Sequence, residues 1–141
     1  MAYRFIEHSA DIAAEIEAIT IEDLFSLSCH AWRDAAVESI DVSSTEWKFL
    51  YFKAGTLEEL LSELLNEINR LLFSGDWIIN SIDDMKIVFE ENEIKLYADI
   101  YGSPFNSENF TIKQEIKIIT VGKEQIKKID DMYKTQIMFK L

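Results

Sequence analysis

Near the start of the chain, five consecutive residues, Glu7-His8-Ser9-Ala10-Asp11, combine groups able to do chemistry. An aspartate offers hard oxygen to Ca²⁺ or Mg²⁺, and a neutral imidazole suits Zn²⁺. Glu7, His8 and Asp11 also make up an acid–base set, because histidine titrates near neutral pH. A plainer reading is a tight turn in which Ser9 or Asp11 bonds to local backbone amides. A lone acid is not a metal site, and no serine or cysteine nucleophile follows in a recognisable setting. Residue types alone favour the turn and leave the other two readings open.

Other reactive residues are scattered. Cys29 and His30 are adjacent on a helical stretch, so their side chains diverge by about 100°. They read as a core thiol and a helix-surface imidazole. Glu115 and Lys117 lie two apart on a stretch expected to be a strand, which puts them on one face. They read as a solvated ion pair, or else Lys117 offers its charge to a phosphate or a partner acid. The glycines at 55, 75, 102 and 122 are isolated, so no phosphate-cradling loop is present, and the single cysteine excludes a CxxC zinc knuckle.

The bulk properties narrow the class. A length of 141 residues, about half of them apolar, suits one domain with one core. The net charge of −12 repels phosphate backbones. It argues against direct tight binding of nucleic acid and favours solubility, a cation or a basic protein partner. The first residues lack the basic start and apolar run of a secretory signal, and acids interrupt the most apolar helix. A lone thiol fits a reducing cytoplasm.

The elements that must position these residues can be read from periodicity. Residues 3–7 and 10–18 are expected strands, the second alternating Ile12, Ala14, Ile16 and Ala18 against Asp11, Glu15 and Glu17. Thr20 should cap a helix running to about Val37, and Thr56-Leu57-Glu58-Glu59 should open a second as a capping box. Leu57, Leu60, Leu61, Leu64, Leu65, Ile68, Leu71 and Leu72 form its stripe, which should end where Gly75 releases the chain. Between the helices, 45–53 is expected to be a strand. After them come 77–82, 85–90, 93–101, 114–121, 124–129 and 132–140, with 102–110 a loop. Turns fall at Glu91-Asn92 and Asp130-Asp131. The expected class is α+β, two helices packed on a mainly antiparallel sheet.

Four segments together resemble the archease family. YRFIEHSADIAAEIEAITIEDLF is similar to its opening, LEELLSELLNEIN to its second helix, YGSPFN to its G-E-P loop, and KQEIKIIT to its E-V-K strand. The resemblance implies an accessory protein, not an enzyme in its own right. Archeases assist the GTP-dependent RtcB-type RNA ligase that seals tRNA exons, promoting guanylylation of the ligase and repeated turnover. It further implies that Asp11 and Lys117 support the ligase's chemistry. A metal ion such as calcium would be held by Asp11 with the last two positions, here Lys140 and Leu141. Three positions depart from the family pattern: Lys140 stands where an aspartate is usual, Gly122 where a histidine is, and Ser103 where the loop has glutamate. A protonated lysine cannot ligate a hard cation, so the implied calcium site should be weak. The alternatives are a divergent binding module and, behind it, a hydrolase built on Glu7, His8 and Asp11.

Overall fold

The computed structural model describes residues 2–8, 11–39, 44–106, 108, 110–122 and 125–141, with the side chains of residues 7, 8 and 39 outside that description. Both expected helices are present. In α1 (Ile21–Ala36) the Thr20 hydroxyl oxygen accepts the Asp23 amide at 3.1 Å, and Glu22 and Asp23 sit at the positive end of the helix. In α2 (Leu57–Phe73) Thr56 accepts the Glu59 amide in the same way, at 3.1 Å. The leucine stripe of α2 is buried from Leu60 to Leu72 against Leu24, Phe25 and Trp32 of α1 in one apolar cluster.

α2 ends by a different device from the one its sequence suggests. Gly75 does not take positive φ; that conformation falls to Asp76, at φ 51°. Glycine is needed at 75 for space, because a Cβ there would lie 2.8 Å from the Leu71 carbonyl oxygen.

The strands are β1 (Ala2–His8), β2 (Asp11–Ala18), β3 (Val37–Ser39), β4 (Glu46–Ala54), β5 (Trp77–Phe89), β6 (Ile94–Pro104), β7 (Phe110–Ile112), β8 (Ile118–Val121), β9 (Lys127–Ile129) and β10 (Met132–Lys140). Every described pairing is antiparallel. The class is α+β as expected, with the pairing divided among three sheets. One has the order β1-β2-β10-β8 with β9 also on β10, one has the order β4-β6-β5, and β3 pairs with β7 alone.

Several boundaries differ from the periodicity. The two strands expected over 77–90 are one strand, β5, in which Asp84 at φ 51° marks a bulge between Asp83 and Lys86. The extra residue lets the strand bend without ending. β3 and β7 pair where only a helix end and a loop were expected. Glu91-Asn92 turns without positive φ, inside a four-residue connection closed by the Glu90 amide on the Glu93 carbonyl at 2.9 Å. Asp130 and Asp131, at φ 52° and 64°, do form the expected tight hairpin between β9 and β10. Ser9-Ala10, the expected corner, lies outside the described residues; β1 and β2 pair as far as His8 opposite Asp11. Among the described residues no helix is long and apolar enough to cross a membrane.

Leu64 is completely buried in the α2 stripe. Replacing it with alanine should lower unfolding free energy by about 2–5 kcal/mol, read from a denaturant midpoint at unchanged slope. A loss under about half a kcal/mol would mean that the stripe does not anchor the core.

Candidate functional site at one end of the five-stranded sheet

Strand order brings distant residues together. β10 lies between β2 and β8, antiparallel to both, with Phe139 opposite Ile12 on one side and Ile119 on the other. The start of β2, the end of β10 and the approach to β8 therefore meet at one sheet end. There the Leu141 amide donates to Asp11 Oδ1 at 3.3 Å, across 130 positions of sequence. The Lys117 amide donates to the Lys140 carbonyl oxygen at 2.8 Å. Asp11, Lys117, Lys140 and Leu141 are thus neighbours, and Asp11 is half-buried while the other three are exposed. Among the described residues no ion pair within 4.0 Å joins Asp11 to Lys117 or to Lys140.

One expectation is corrected here. Glu115 and Lys117 do not share a strand face, because β8 begins only at Ile118 and residues 114–117 are not in a strand. The physical reason is on α2. Asn69 Nδ2 donates to the Ile116 carbonyl oxygen at 2.9 Å, while its Oδ1 accepts the indole N–H of Trp32 at 2.8 Å. One turn earlier, Asn66 Oδ1 accepts the Ile119 amide at 3.0 Å and Asn66 Nδ2 donates to the Ile119 carbonyl at 2.8 Å. Asn66 thus occupies the free edge of β8 as a neighbouring strand would, and side-chain amides replace a ladder on that side. Ile116 and Ile119, both buried, flank the exposed Lys117. Sequence reasoning passed over Asn69; the available signal was a pair of amides three apart among the leucines of one helix face.

The remaining expected groups sort plainly. Cys29 is a buried core thiol whose pKa burial pushes far up, and His30 is exposed on α1. The side chains of Glu7 and His8 lie outside the described residues, so the acid–base set cannot be placed. As a cation site, this sheet end offers the Asp11 carboxylate, one oxygen of which already accepts an amide, and the Leu141 carbonyl. Among the described residues no three of His, Cys, Asp and Glu gather as ligands. A hard cation takes about 6–8 oxygens; the described donors do not complete such a shell.

The fold and this sheet end define a class: a small α+β protein whose last strand returns beside its second and places chain-distant charged residues together. The chain belongs to the archease protein family, whose profile it matches over residues 3–140. It is 31% identical over 134 residues to the protein archease of Archaeoglobus fulgidus, covering 94% of each chain. With the Methanosarcina barkeri archease the identity is 26%, over 96% of this chain and 93% of that one. In three dimensions it is similar to the solution structure of Methanobacterium thermoautotrophicum protein 1598, with a TM-score of 0.77 at 18% identity, covering 99% and 98% of the two chains.

Replacing Asn69 with alanine should leave the Trp32 N–H and the Ile116 carbonyl unpaired. The expected loss is about 1–3 kcal/mol of stability for each buried group. Asn66→Ala should raise hydrogen exchange at the Ile119 amide ahead of global unfolding. Unchanged exchange there would show that β8 does not rely on α2.

Proposed function

We propose that this archease-family protein is an accessory factor of an RtcB-type RNA ligase in the cytoplasm. It would promote guanylylation of the ligase and repeated turnover, without forming a covalent intermediate of its own. The observation that carries the reading is the meeting of Asp11, Lys117 and Leu141 at one sheet end, in a chain whose family match is nearly complete. Asp11 presents a carboxylate from the start of β2 and Lys117 an ammonium from the segment that leads into β8. Such a pair acts on a partner's reacting phosphates by position and charge. The ammonium is a compact point charge suited to a phosphate oxygen. Lys117 is aimed only as well as its backbone is held, which makes Asn66 and Asn69 positioning residues in this reading. The net charge of −12 would draw the protein to the basic, RNA-binding groove of a ligase and make association weaken with salt.

With a cognate ligase, ligase–GMP formation or turnover number should rise when this protein is added. Asp11→Ala should reduce the rise while leaving the fold intact, since the Asp11 carboxylate lies outside the apolar core. Equal progress curves with and without the protein, across GTP and metal concentrations, would overturn the proposal. They would favour a second reading, a binding module of archease fold, which the exposed Lys140 at the family's aspartate position supports.

We also propose that calcium binds only weakly at Asp11 and Leu141. The donors are few, and the Lys140 ammonium adds a repelling charge at the same sheet end. Calorimetric titration of the unaltered protein should give no saturable heat, whereas Lys140→Asp should create a site that binds. Tight calcium binding by the unaltered protein would mean that further oxygens complete the shell.

A further inference from the structure

The outward face of the β4-β6-β5 sheet carries a set of side chains that the sheet end around Asp11 does not use. β4 buries Leu50 and turns Trp47, Phe49 and Tyr51 outward, at 62%, 57% and 43% exposure. Tyr97 of β6 joins them, with its ring centroid 6.4 Å from Phe49 and 5.0 Å from Tyr51. Strand register arranges the face in rows. Trp47 stands opposite Tyr101, which is opposite Ser81; Phe49 is opposite Asp99, which is opposite Asp83; Tyr51 is opposite Tyr97, which is opposite Lys86. The middle row sets two carboxylates directly across from each other, an arrangement that is unfavourable in isolation. Among the described residues neither Asp83 nor Asp99 has an ion-pair partner within 4.0 Å.

We infer that this face is a docking surface for an arginine-bearing segment of a basic protein partner. The aromatic rings and the acid pair ask for the same group. A guanidinium stacks on aromatic faces and forks onto a carboxylate, whereas an ammonium does only part of this. Exposed tryptophan and tyrosine around a charged centre are also the composition of interface hot spots. Charge selects the occupant. A nucleic-acid strand stacks on such rings and finds Lys86 beside Tyr97, but it meets Asp83 and Asp99 at the centre of the face, on a chain of net charge −12. A second copy of the chain brings the same acids face to face. A basic segment relieves the opposed carboxylates. The inference is independent of the ligase reading, since it concerns a different sheet.

The protein carries its own reporter. Trp32 is fully buried and Trp77 is 4% exposed, so solvent-sensitive fluorescence comes from Trp47. Titration with a short peptide alternating arginine and serine should shift that fluorescence saturably. A lysine–serine peptide of equal length should bind about fivefold more weakly, because it lacks the planar fork. Asp99→Asn and Phe49→Ala should each weaken binding about tenfold, while Glu38→Gln, which removes one exposed charge on β3, should change it by less than about twofold. Phe49 is exposed, so its truncation leaves the core intact; far-ultraviolet circular dichroism checks this. Three outcomes would overturn the inference: equal loss for Glu38→Gln and Asp99→Asn, which is attraction by net charge alone; tighter binding of a single-stranded RNA oligomer; or concentration-dependent self-association that shields Trp47.

Discussion

Two asparagine side chains on α2 hold the stretch of chain on which the candidate site is built. An amide on an apolar helix face is costly to bury unless both its donor and acceptor are matched. Asn69 meets that demand with the Trp32 indole and the Ile116 carbonyl, and Asn66 with both backbone groups of Ile119. The same bonds tie α1 to α2 and α2 to β8. Residues 114–117 can then approach β10 without being a strand themselves. Lys117, between two anchored residues, reaches the Lys140 carbonyl.

The remaining geometry of that sheet end follows from topology. A central β10 between β2 and β8 brings the end of β10 beside the start of β2, because antiparallel neighbours exchange starts and finishes. Asp11 opens β2 and so lies beside the residue that follows β10. The amide of Leu141 donates to its carboxylate, and that is the described partner Asp11 has at this end. A site of this kind tolerates change at single positions, since the backbone contacts persist whatever side chain stands at 140. Its chemistry is less tolerant: lysine there brings positive charge to the sheet end.

The two sheets present different chemistry to solvent. The five-stranded sheet gathers a carboxylate and two lysines at its end. The three-stranded sheet shows rings and paired acids on its face. Both are backed by the same helices and the same apolar cluster. A change in the α2 leucine stripe is therefore felt at either surface, whereas substitutions on one surface leave the other's support untouched.

The amino-acid sequence by itself determined the helices, most strands and the class. Those depend on local periodicity and caps: threonine at 20 and 56, the leucine stripe, the alternation over β2, and aspartates at 130 and 131 that accept positive φ. The family was also legible, from EHSAD and three further segments. Other features came only with the tertiary structure. The bulge at Asp84 joins what periodicity reads as two strands, because a single extra residue breaks alternation without breaking the sheet. The β3–β7 pair is three residues long on each side, too short for a pattern to register. Glu115 and Lys117 both lie outside the strand expected over 114–121, held off by the bond of Asn69 to Ile116, a contact 47 positions apart in sequence. The meeting of Asp11 with Leu141 depends on which strands are neighbours, and strand order is decided by how both helices cover the sheets and not by any local run of residues.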